Sequence, residues 1–157
     1  MMARTPRPPV ERHGSHYVLN LDDNERGLLS RLLKDMRDLL MSEADNPALR
    51  RLFPVAYDED PEEEAEYQRL MRQELVTSRV TAVDMVVEAL VSGRFDAEAV
   101  TPLMQSLNSL RLVLGTLLDV SEDHDIDGID PDDPRAPEHH LYAFLSWLLD
   151  WTVRAQS

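Results

Sequence analysis

Leu28, Leu29, Leu32, Leu33, Met36, Leu39 and Leu40 recur at i, i+3, i+4 and i+7. That spacing places them on one stripe and predicts an amphipathic helix. Asp22 is positioned to cap it, and Glu25, three residues on, completes a capping box. Asn46-Pro47 restarts a short helix, PALRRLF, which ends at Pro54. The longest periodic stretch follows. Asp60 is a candidate N-cap and Pro61 suits the first helical position. Glu62, Glu63 and Glu64 suit the positive end of the helix dipole, and Gly93 is a natural stop. A continuous helix over 61–92 spans about 48 Å at 1.5 Å per residue, long enough to raise the question of a kink near Thr77-Ser78. Its first half carries one stripe: Tyr67, Leu70, Met71 and Leu75. Its second half, Val80 to Val91, is apolar on most sides and reads as the central core helix.

A further helix starts at Asp96 or Thr101 and runs to Val120, with Pro102 near its start. Leu103, Leu107, Leu110, Leu114 and Leu117 line its inner face. In the last predicted helix, from Pro137, one face holds Leu141, Leu145, Leu148 and Thr152. Trp147 and Trp151 are neighbours at i,i+4. HYVLN, His16 to Asn20, combines aromatic and β-branched residues and allows a short strand. Residues 1–14 are rich in proline and arginine and are expected to form a mobile basic arm. The expected fold is all-α: one helical domain over 15–157, a bundle of five or six helices with little or no sheet.

Charge narrows the partners. The 157 residues carry a formal net charge of −14. Such a surface repels nucleic acid phosphate and anionic membrane and favours cationic partners. Direct DNA binding by the ordered domain is therefore not expected. No apolar run approaches the roughly 18–20 residues that span a bilayer, and residues 1–13 lack the apolar core of a secretory signal. The chain has no cysteine. This rules out disulfides, thiolate metal sites, cysteine nucleophiles and a thiol redox switch within the chain, and it fits a cytoplasmic protein.

The segment Glu122 to Pro134, EDHDIDGIDPDDP, imitates a calcium loop. Counted from Asp123, the ladder gives Asp123, Asp125 and Asp127, then Gly128 at position 6. The imitation then fails: Asp130 stands where an apolar residue belongs, and Pro134 replaces the bidentate glutamate of position 12. A solvated acidic connection is the preferred reading, with a weak divalent-ion site as the alternative. His139-His140 is a poor ligand pair, because adjacent helical residues point about 100° apart. Asp84 and Glu88 share one face of the apolar half-helix. They read as a polar seam meeting an arginine such as Arg111, or else as a buried acid pair with raised pKa values. No nucleophile elbow, phosphate loop or dinucleotide fingerprint occurs. No catalytic, cofactor-binding or metal-binding residue is assigned, and no cofactor is expected.

Two features suit a partner surface. Asp58 to Glu66 packs seven carboxylates into nine residues, which is either a charged helix start or, through Glu62, Glu63 and Glu64, an anchor for a cationic partner. Trp147, Trp151, Phe144 and Tyr142 crowd more than one face of one helix. One face can pack in the core while another remains for a dimer or a partner, and aromatics are enriched at binding hot spots.

The blocks NPALRRLFPVAYDEDPEEEAEYQRLMRQEL, LNSLRLVLGTLLDVSED and LYAFLSWLLDWTVRA occur in that order. They resemble an actinobacterial family named as a domain of unknown function and often encoded beside the ClpS proteolytic adaptor. The family includes the oxidative-stress regulator AosR, described as acting with a sigma factor. The resemblance implies a non-enzymatic regulatory role. The cysteine-pair mechanism of that branch cannot operate in this chain. The expected function is regulation through a basic protein partner, with a sigma factor as one candidate and a homodimer as another mode of association. The alternatives are an adaptor in ClpS-linked proteolysis, or a metal-binding protein or enzyme centred on Asp84, Glu88 or the acidic loop.

Overall fold

A computed structural model describes residues 7–43, 46–53, 61–118 and 132–157; for Pro61, Glu63 and Glu64 it describes the backbone alone. The element order is β1 (Val10–His13), β2 (His16–Leu19), α1 (Asp23–Ser42), a 3-10 helix (Pro47–Leu52), α2 (Pro61–Ser92), β3 (Arg94–Asp96), α3 (Ala97–Leu118) and α4 (Ala136–Ala155). Helices dominate the described residues, but a three-stranded antiparallel sheet accompanies them. The chain is therefore predominantly α rather than all-α.

Helix α3 is the axis of the molecule. It packs on α4, α2 and the 3-10 helix, and it touches α1 and two of the strands. Leu103, Leu107 and Leu110 are buried along it. It begins at the earlier of the two predicted starts because Asp96 Oδ1 accepts from Ala99 N at 2.9 Å, a side-chain cap on an otherwise orphaned amide. The expectation that the second half of α2 forms the central helix is thus corrected. That half buries Ala82, Val83, Val86 and Leu90, while Asp84, Met85, Glu88 and Val91 remain exposed. Its apolar residues are more numerous than its buried face is wide.

Helix α1 carries the predicted capping box. Asp22 Oδ1 accepts from Glu25 N at 2.7 Å, and Asp22 N donates to Glu25 Oε1 at 3.0 Å. Leu29, Leu33, Met36 and Leu40 form its buried stripe. Helix α2 runs without interruption through Thr77 and Ser78. Thr77 Oγ1 donates to Gln73 O, and Thr81 Oγ1 to Thr77 O, so these hydroxyls are satisfied by carbonyls one turn back and do not break the helix. Gly93 ends α2 with φ +73°, a conformation that costs other residues roughly 1–2 kcal/mol.

The hairpin of β1 and β2 turns at Gly14, φ +65°. Val10 pairs with Leu19 and His13 with His16; β3 adds to the other edge of β2, with Phe95 opposite Tyr17. Val10, Tyr17, Leu19 and Phe95 are buried, on the sheet face that meets the helices. The expectation of a mobile arm over 1–14 is corrected for residues 8–14; residues 1–6 lie outside the described residues. Asn20 Nδ2 donates to Pro8 O at 2.8 Å and Asn20 N donates to Pro9 O at 2.8 Å. The chain is therefore tied into the fold from residue 8 onward.

Candidate functional site

The two parts of the predicted partner surface lie on different elements. Glu62 is exposed at the start of α2, where a carboxylate complements the helix dipole. The side chains of Glu63 and Glu64 lie outside the described residues. Trp147 and Trp151 belong to α4, which packs chiefly on α3 and β1. Tyr67 and Leu70 also reach the surface on the first half of α2, at 51% and 56% exposure. Of the stripe Tyr67, Leu70, Met71 and Leu75, only Met71 and Leu75 are half-buried.

Helix α4 separates a buried face from an aromatic flank. Leu145, Leu148 and Thr152 are buried, with Leu141 half-buried beside them, as the periodicity predicted. Tyr142 is buried with Leu118 in a small second cluster. At 100° per residue, Phe144, Trp147 and Trp151 lie together to one side of that face. Trp147 is 45% exposed, and its ring stands 5.9 Å from that of Phe144, tilted by 36°. Trp151 is half-buried against the core, with the Arg154 guanidinium 5.4 Å above its ring. Arg154 in turn pairs with Asp150 at 3.0 Å. The flank therefore offers a preordered aromatic surface with a balanced ion pair at its border. A large indole held this far into solvent adds little to folding and is available to a partner.

Helix α4 is joined to α3 across its own start. Arg135 Nη1 donates to Leu117 O at 3.0 Å, and Arg135 N donates to Asp133 Oδ1 at 2.8 Å. Most of the calcium-like loop, residues 119–131, lies outside the described residues. Among the described residues no group of three or more histidine or carboxylate side chains is placed to hold a metal ion. His139 is half-buried and His140 exposed.

Asp84 and Glu88 do not form a buried acid pair. Both are exposed, and Asp84 Oδ1 lies 2.8 Å from Arg37 Nε of α1. The expected partner, Arg111, instead donates to Asn108 Oδ1 on its own helix. The seam exists, but it joins α2 to α1 because Asp84 faces that helix and not α3. The arginine that does bind across the α2–α3 interface is Arg79. Its Nη1 donates to Ser109 Oγ at 3.1 Å and its Nη2 to Leu52 O at 3.3 Å. Burial pushes its guanidinium below its ordinary pKa. It stands four residues after Leu75, a charge on the line along which the α2 stripe continues.

No helix among the described residues is long and apolar enough to cross a membrane. No curated protein and no solved structure matches the chain. The model of one family does match, over residues 5–156. That match covers nearly the whole chain, sheet and helices alike, and the protein belongs to the family described as domain of unknown function DUF2017.

Proposed function

We propose that this protein is a non-enzymatic regulator that acts by binding a basic protein partner. The observation that carries the reading is Trp147: a tryptophan 45% exposed, braced by Phe144, on a helix whose opposite face is fully committed to the core. Exposed, well-braced tryptophans are the side chains around which binding energy concentrates. The net charge of −14 sets the sign of the partner. Steering by a surface of this charge speeds encounter with cationic proteins and is weakened by salt.

The resemblance described above supports a finer version: a cytoplasmic, stress-linked transcription regulator of actinobacterial type whose partner is a sigma factor. Because the chain has no cysteine, its signal would reach it by some route other than a thiol of its own. An adaptor in ClpS-linked proteolysis would use the same kind of surface and differ in what it delivers. Affinity capture from native lysate, followed by mass spectrometry, tests the reading. One stoichiometric basic protein, released by raised salt and lost with Trp147→Ala, is the expected result. Its identity separates the regulator from the adaptor. Capture of no protein in stoichiometric amount, with turnover of a small molecule instead, would refute the proposal.

A further inference from the structure

A groove opens between α1, α3 and α4. Leu32 and Leu39 of α1, Leu114 and Leu117 of α3 and Leu141 of α4 form its walls, and Asp35 stands at its mouth. Four of those leucines are half-buried, and Leu117 is 56% exposed. The space is about 210 Å³, below the roughly 300–1,000 Å³ typical of small-molecule sites. It suits the few anchoring side chains by which an amphipathic helix lies in a hydrophobic groove.

The charge at the mouth chooses among occupants. Asp35 is the charged side chain among the lining residues; it is exposed and has no ion pair among the described residues. Together with the net charge of −14, an unpaired carboxylate beside an apolar slot opposes fatty acids and anionic lipids and favours ammonium or guanidinium groups. We infer that this groove takes the apolar face of an amphipathic helix of a protein partner, flanked by lysines or arginines, one of which meets Asp35. The inference rests on the partner-binding reading and names the chemistry of the partner's contact segment.

The test uses the full chain and two fluorescein-labelled helical peptides of about 16 residues. Both carry leucines at i, i+3, i+4 and i+7; one is flanked by lysines, the other by glutamates. Fluorescence anisotropy at physiological ionic strength should show the lysine-flanked peptide binding at least about tenfold more tightly. Leu117→Asp should weaken that binding about tenfold, although it makes the protein more acidic and would strengthen any nonspecific attraction. Leu117→Ser, a milder change at an exposed position, should weaken it in the same direction. Asp35→Lys should weaken the basic peptide and favour the acidic one. Equal binding of the two peptides, or binding unchanged in both Leu117 variants, would overturn the proposal. So would a dimer that Leu117→Asp converts to a monomer, because a second copy would then fill the groove. A natural partner that survives Leu117→Asp and is lost with Trp147→Ala would remove the groove and leave the partner-binding reading standing.

Discussion

Arg79 Nη1 donates to Ser109 Oγ at 3.1 Å, and the same guanidinium reaches Leu52 O at 3.3 Å through Nη2. One half-buried cation thereby links α2, α3 and the 3-10 helix. Ser109 itself is 2% exposed, so removing its donor leaves a buried hydroxyl dependent on whatever can replace it. Hydrogen bonds from a charged donor are worth roughly 1.5–3 kcal/mol. The cost of keeping the guanidinium partly dehydrated offsets some of that. Arg79→Ala is expected to destabilise the fold by about 1–3 kcal/mol in urea denaturation. Arg79→Lys should recover only part of the loss, because an ammonium cannot span both acceptors as the planar fork does. A midpoint unchanged in Arg79→Ala would show that the link is ornamental.

Phe95 is fully buried at the centre of a three-residue strand, opposite Tyr17. Truncating a buried aromatic costs roughly 3–5 kcal/mol. Phe95→Ala should fall in that range and should also loosen the hairpin, whose β2 loses its partner across the pair. Hydrogen exchange of the Tyr17 and Val18 amides reads this directly. A loss below about 1 kcal/mol would mean the sheet is peripheral to stability.

That strand also shows where sequence reading stops. Capping signals were legible because they are local: Asp22 with Glu25, and Gly93 with its positive φ, act within a few residues, whereas Asp96 was one of two possible starts, decided only by its side chain capping Ala99. Periodicity likewise located the four α-helices among the described residues, since a buried stripe must repeat, while Asn46-Pro47 marked the 3-10 helix. RFD and VERH offer one apolar residue apiece beyond charge, too little to announce strands. They are strands because β2 lies between them and supplies hydrogen bonds to both. The burial of α2 was misjudged for a related reason. Apolar residues mark where a helix can be buried, and the neighbours decide which side is, leaving Met85 and Val91 exposed. For the proposed partner surface, the crowding of aromatics on α4 was visible. The groove was not, because its walls come from three helices far apart in sequence.

His16 supplies a pH prediction. Partial dehydration, then the Arg94 guanidinium, then the His13 ring stacked 5.8 Å away all disfavour its protonated form and lower its pKa from the ordinary 6.5. A lowered folded-state value means that the unfolded chain takes up the proton first as the pH falls. Stability linked to His16 is therefore full above about pH 6.5 and declines as the pH drops towards the folded-state value. An NMR titration should place the His16 midpoint below 6.5, and Arg94→Gln should raise it. A midpoint at or above 6.5 in the native chain contradicts the geometry.

Adjacent residues on α4 should separate folding from binding. Leu148 is fully buried, whereas Trp147 is 45% exposed. Leu148→Ala should cost roughly 2–5 kcal/mol. Trp147→Ala should cost no more than about 1–2 kcal/mol, since much of its ring is already in water. Thermal or urea denaturation of the two variants side by side measures the contrast. Equal losses would return Trp147 to the core and deprive the proposed partner surface of its centre.

The central claim, that α4 presents a binding surface to a basic protein, is tested most directly by calorimetry with the purified captured partner. The native chain should bind with fixed stoichiometry, and the affinity should fall as salt is raised from low to physiological ionic strength. Trp147→Ala, shown folded by its circular dichroism, should weaken binding by at least about tenfold, as truncation of a hot-spot residue does. An affinity indifferent both to salt and to Trp147→Ala would contradict the account.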